Sequence, residues 1–189
     1  MRKVERHEIV DFATYGDQRE AVRKTVLETK RVRRIHVGED LTFLFENADP
    51  IRYQIQEIMR AERIVREADV ISEIATYNAL LGDDGQLGCV LLVEIDDKDE
   101  RDRLLRRWRS LPEHLYLRTA DGRKIPAEYD PSQMDEEKIS SVQYLKFNVG
   151  QDLPGARPVA VGCDHPELSQ ETGLTDEQQA ALASDLGSG

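Results

Sequence analysis

The run Cys89-Val90-Leu91-Leu92-Val93 constrains the fold more than any other part of the 189-residue chain. Five apolar residues in a row offer no polar face. The turn composition Gly82-Asp83-Asp84-Gly85 lies just upstream, so the run predicts a short strand covered on both sides. Leu41-Thr42-Phe43-Leu44-Phe45 is a second central strand by its β-forming residues and flanking turn residues. Leu115 to Thr119 and Arg123 to Tyr129 flank Ala120-Asp121-Gly122, an Asp-Gly hairpin signal. Val142, Tyr144, Phe147 and Val149 mark a further strand, and Pro158-Val159-Ala160-Val161 reads as a short edge strand.

Between these lie helical patterns. One charged helix is predicted from about Asp17 to Arg34, with Val22, Val26 and Thr29 on one side, ending near Ile35-His36-Val37-Gly38. A second starts with Asp49 as N-cap and Pro50 at the first helical position and runs to about Glu67. A third spans Asp69 to Leu81. A fourth, from Asp97 to Ser110, places Leu104, Leu105 and Trp108 together. Strands and helices do not alternate as βαβ units, so the fold class is α+β, a largely antiparallel sheet with helices packed against it. Residues 1–166 are predicted to form a single α+β domain, and 167–189 an acidic C-terminal tail with a short helix. That helix is announced by the Thr175…Gln178 capping box after a polar linker. Few large apolar side chains follow Pro166, so removing the tail is expected to cost little.

A net charge of −11 with pI ≈ 4.9 argues against a general nucleic-acid binder or a ligand of acidic membranes, since both need cations to meet phosphate. No run approaches the ~20 apolar residues of a membrane span. The charged start, Met1-Arg2-Lys3-Val4-Glu5-Arg6-His7, does not read as a signal peptide. Cys89 and Cys163 are the only two cysteines and form no CxxC. They argue against a disulfide framework or a four-cysteine metal site, and the expected compartment is the cytosol.

No phosphate-binding loop, dinucleotide fingerprint, HExxH or GxSxG is present, so candidate chemistry rests on individual residues. On the wheel of the second helix Ile51, Ile55, Ile58 and Val65 form a stripe, and Glu62 falls within about 20° of Ile51. A carboxylate there is expected to be buried. It is either a structural partner of an arginine, or close enough to the surface to stay wet, or a metal ligand or catalytic carboxylate. On the opposite side Arg52, Gln56, Arg60 and Arg63 fall within about 80° of one another. They form either a solvated face or an anion- or partner-binding site. His36 and His165 are the candidate metal ligands to accompany Glu62. Such a set suits iron, manganese or zinc as a divalent cofactor. Cys163-Asp164-His165-Pro166 follows a strand, and both cysteines read as buried, inert thiols. Lys30-Arg31-Val32-Arg33-Arg34 is the one plausible nucleic-acid feature, yet it lacks interleaved aromatics, so docking on an acidic protein suits it better.

The segments Arg33-Arg34-Ile35-His36-Val37-Gly38 and Leu41-Thr42-Phe43-Leu44-Phe45-Glu46 carry a family resemblance. Most of it lies in Arg52-Tyr53-Gln54-Ile55-Gln56-Glu57-Ile58-Met59-Arg60-Ala61-Glu62-Arg63, extended by Tyr77-Asn78 and Asp164-His165-Pro166. With these the chain resembles an uncharacterised bacterial family, the domain-of-unknown-function family numbered 3501. The resemblance transfers no catalytic residue. It implies a redox or peroxide-related setting, because such proteins tend to be encoded beside rubrerythrin-like proteins and iron–sulfur oxidoreductases. Two readings follow: an uncharacterised cytosolic accessory or binding protein of that system, non-catalytic, or a metal-dependent enzyme or metal carrier using carboxylate and histidine ligands.

Overall fold

In the computed structural model, which describes residues 1–131, 137–150 and 157–187, eight strands form one antiparallel sheet. They are β1 (Arg34–Val37), β2 (Leu41–Phe45), β3 (Gln86–Val93), β4 (Leu115–Thr119), β5 (Lys124–Tyr129), β6 (Val142–Asn148), β7 (Pro158–His165) and β8 (Leu168–Gly173). Their spatial order is β1-β2-β3-β6-β5-β4-β7-β8. Five α-helices accompany them: α1 (Phe12–Arg31), α2 (Ala48–Glu62), α3 (Glu67–Asn78), α4 (Lys98–Arg107) and α5 (Asp176–Leu186). The class is α+β, a largely antiparallel sheet with helices packed against it.

The sheet curls until its ends meet, nearly closing a barrel. β5 makes the corner: Lys124 to Pro126 pair with β4, whereas Ala127 to Tyr129 pair with β6. Pro126 has no N–H to give a ladder, and it sits where the strand changes partner. At the seam the Thr172 hydroxyl donates to the His36 carbonyl at 2.8 Å. The Gln170 side chain lies over Gly38, where any Cβ would come within 1.4 Å of its Oε1. Alternation fills the interior: β1 reads exposed-buried-exposed-buried, and Val37, Phe43, Phe45, Leu91, Leu117 and Phe147 are all at 0% exposure. β2 is buried at all five positions, as a strand covered on both faces must be.

Helix ends follow local chemistry. Asp11 caps α1 by accepting the Ala13 and Thr14 N–H groups, each at 3.0 Å, so this helix starts several residues before the predicted Asp17. The N-cap of α2 is Asn47, whose side chain accepts the Asp49 N–H, and not Asp49 as expected. Pro50 is still in the first turn, where its missing N–H leaves no bond unmade. α1 packs on α2 and α2 on α3. α3 ends against the sheet so closely that a Cβ on Gly88 would lie 2.0 Å from the Leu80 carbonyl oxygen. Gly88→Ala is therefore expected to destabilise by about 2 kcal/mol, as overpacking against backbone does. A denaturation midpoint equal to wild type would contradict that close approach.

The C-terminal part departs most from expectation. β7 is eight residues long and lies between β4 and β8, so it is no short edge strand. The supposed polar linker is β8, paired with β7 from Ala160↔Gly173 to His165↔Leu168. The Thr175/Gln178 capping box is present. α5 contacts both β3 and β7, strands far apart in the sheet, and so lies across its concave side. Leu168, Leu174 and Leu182 join the core. The segment after Pro166, whose last two residues lie outside the described ones, is part of the folded body and no appended tail.

Candidate functional site

Glu62 is exposed, which corrects the burial read from the helix wheel. The stripe it belongs to is real at Ile51, Ile55 and Met59, which are 0%, 0% and 2% exposed. α2 then stops at Glu62, because Arg63 turns left-handed at φ 54°. The last turn overhangs the core, and Val65, predicted on the same stripe, is 73% exposed.

The four residues on the other side of α2 do different work. Gln56 is 4% exposed. Its amide accepts from the Val10 N–H at 2.8 Å and donates to the Val10 carbonyl at 3.0 Å, as a neighbouring strand would. Asn78 clamps Val4 in the same way. Arg52 donates to Glu8 at 3.1 Å and to Asp49 at 2.9 Å. Between them Glu57 accepts from Arg19 at 2.8 and 2.9 Å and from Tyr15 at 2.6 Å. The Arg19 bonds hold the Glu57 carboxyl below its usual range despite partial burial. Only Arg60 and Arg63 of the four are left exposed.

His36 is exposed on β1, with its Nδ1 at 2.8 Å from the Thr42 hydroxyl. That hydroxyl donates its one proton to Glu94, so the His36 Nδ1–H is the donor to it. His165 is 6% exposed, and its Nδ1 accepts the Glu167 N–H at 3.3 Å. Burial, then the neighbouring His114, lowers its pKa. The neutral ring therefore carries its proton on Nε2, which suits a structural donor better than a metal ligand. Asp164 points the other way, as strand alternation requires, and bonds His114 at 3.2 Å and Lys124 at 2.8 Å. His114 meets His165 edge-on at 5.2 Å, a distant partner along the chain that no sequence spacing announces. Both cysteines are buried, and burial raises both thiols. Glu62, His36 and His165 are not brought together. Among the described residues no group of three His, Cys, Asp or Glu side chains is placed to hold a metal ion.

Two arginines of the basic run at the end of α1 are tied to α5. Arg31 pairs with Glu177 at 3.1 Å, and Arg33, 8% exposed, forms a two-bond pair with Asp185 at 2.8 and 2.9 Å. Asn47 adds a bond to the same carboxylate at 3.2 Å. Beside this knot lies Glu46, 1% exposed, which accepts from Gln54 at 3.3 Å while its Oε2 has no partner. Burial pushes its carboxyl up to about 7, although Lys30, Gln54 and Arg33 pull it down.

Three further arginines lie where α2 gives way to α3. Arg60, Arg63 and Arg66 are exposed, with Val65 between them and Ile71, 53% exposed, one turn into α3. Arg63 is the one non-glycine residue with positive φ among the described residues. A side chain there costs ~1–2 kcal/mol relative to glycine. Arg66 is the N-cap of α3 and makes no side-chain cap bond. A serine or aspartate there would add about 1 kcal/mol, and a cation is disfavoured at that end of a helix.

These features define an acidic α+β protein with a curled antiparallel sheet and one arginine-bearing, apolar corner. A family model described as a protein of unknown function (DUF3501) matches residues 3–186, and the chain belongs to that family. The matched span includes β8 and all of α5. The structure is similar to the crystal structure of a novel protein of unknown function from Burkholderia pseudomallei K96243. The TM-score is 0.89 at 27% identity, over 98% of this chain and 100% of that one. No curated protein matches. Among the described residues no helix is long and apolar enough to cross a membrane.

Proposed function

We propose that the protein is a non-catalytic accessory or binding protein of a cytosolic redox or peroxide-related system, and that it docks its partner on the corner between α2 and α3. The observation that supports this reading is the exposure of Val65 at 73% and Ile71 at 53% beside arginines. Exposed aliphatics flanked by arginine have the composition of an interaction surface. The redox setting comes from the family resemblance, which supplies two candidate partners, a rubrerythrin-like protein and an iron–sulfur oxidoreductase. Calorimetric titration of each purified partner from the same organism tests the proposal. Binding is expected with one of them, and Val65→Ser should weaken it roughly tenfold while leaving the melting temperature unchanged. If neither binds at up to about millimolar dissociation constants, or if Val65→Ser binds as wild type does, the reading falls.

A further inference from the structure

The chain has 37 acidic and 26 basic residues, and many of its surface cations hold a carboxylate. Arg2, Arg6, Arg19, Arg52, Arg106 and Arg118 all hydrogen-bond one. Arg60, Arg63 and Arg66 make no hydrogen bond or close ion pair with the described residues. The same is true of the exposed Arg23, Lys24 and Arg109, but Arg63 and Arg66 also occupy backbone positions that disfavour them. Arg60 acts only through its charge on Glu57. The acids nearest in sequence form no close pair with them: Glu67 is held by Arg6 at 2.7 and 2.9 Å, and Glu62 and Asp69 are exposed.

The positions matter as much as the charges. Arg63 stands where glycine or asparagine suits the backbone, and Arg66 where serine, aspartate or asparagine would close the first turn of α3. Each of these arginines lowers local stability and gains no hydrogen bond or close ion pair with the described residues in return. Residues that break local preference without an internal compensation belong to functional surfaces. Val65, between them, adds an apolar contact that a bare phosphate cannot use.

We infer that Arg60, Arg63 and Arg66, with Val65 among them, recognise a short acidic segment of a partner protein that also carries an apolar side chain. The inference deepens the docking reading of the same corner and rests on it. Arginine forks match carboxylates in two-bond geometry. A short segment meets only the corner, whereas a long polyanion such as nucleic acid extends over the rest of a chain of charge −11 and is repelled.

The test uses the full chain and three probes: a labelled peptide alternating glutamate and leucine, a single-stranded DNA oligonucleotide, and inorganic phosphate. The peptide is expected to bind and to weaken as salt is raised. The double variant Arg63→Gly/Arg66→Ser should bind it at least roughly tenfold more weakly and melt at a higher temperature than wild type. Because the variant gains stability, lost binding cannot be blamed on misfolding. Unchanged peptide affinity in the double variant overturns the inference, and so does tighter binding of DNA or phosphate than of peptide. If Val65→Ser weakens the protein partner but the arginine variant does not, the docking reading stands and the acidic segment falls. If the peptide behaves as expected but neither redox protein binds, the reverse holds.

Discussion

Deleting residues 167–187 is expected to leave a chain that no longer unfolds cooperatively. The deletion removes β8, which covers the outer edge of β7, and takes Leu168, Leu174 and Leu182 out of the core. Each buried leucine lost as a cavity costs ~2–5 kcal/mol. Arg33 would also be stranded without Asp185, and one half of a buried ion pair left alone costs ~3–5 kcal/mol. Together these approach or exceed the whole stability of an ordinary domain, about 5–15 kcal/mol. Asp185→Ala isolates the ionic part and should by itself lower stability by about 3 kcal/mol or more. Urea denaturation followed by circular dichroism reads both. A truncated chain with a sharp transition and a small change in midpoint would show that the segment adds little.

Glu46→Gln should stabilise the protein, and by more as pH rises. The Glu46 carboxyl is raised from 4.5 to about 7, mainly because burial opposes its charge. Below pH 4.5 the carboxyl holds its proton in both folded and unfolded chains, and no penalty arises. Between 4.5 and about 7 the unfolded chain releases the proton more readily than the folded one. Stability present at low pH is therefore lost as pH climbs through the folded value. At 1.36 kcal/mol per pH unit the full loss is ~3 kcal/mol. Glutamine keeps the shape and trades one unpartnered polar atom, Oε2, for another, so its pH-independent effect is small. The difference between variant and wild type should be slight at pH 4 and near its maximum at pH 8. A difference constant across that range would mean that Glu46 titrates normally.

What could be read from the sequence was what depends on neighbours along the chain. The hairpin around Asp121-Gly122, the strand β3 and the Thr175 capping box all follow from short-range chemistry, and all are present, although Val90 and Leu92 on one face of β3 are only half-buried and not fully covered as expected. β8 was missed because Leu168-Ser169-Gln170-Glu171-Thr172-Gly173 has no apolar alternation. Its burial is confined almost to Leu168, and the segment is a strand because β7 offers it a ladder. Glu62 was misplaced for the opposite reason. Periodicity gave its angle on the helix correctly but said nothing of where the core beneath α2 ends. Arg60 and Arg63 could be singled out as a pair of cations on one helix. That Arg63 is left-handed and Arg66 an idle cap depends on where the backbone turns. The His114–Asp164 contact and the isolation of Glu46 arise from long-range packing and leave no trace in spacing.

The knot between Arg33 and Asp185 joins residues 152 positions apart. On a ribosome adding ~5–20 residues per second, Arg33 emerges on the order of ten seconds before its carboxylate exists. Until Leu168 has been made, the outer edge of β7 has no partner, and the seam between β1 and β8 cannot form. The growing chain can assemble helices and hairpins early, but the ring is completed only once β8 has been made. A protein closed in this way is committed to long-range folding, because the residues that lock the ring are made long after the strand they meet.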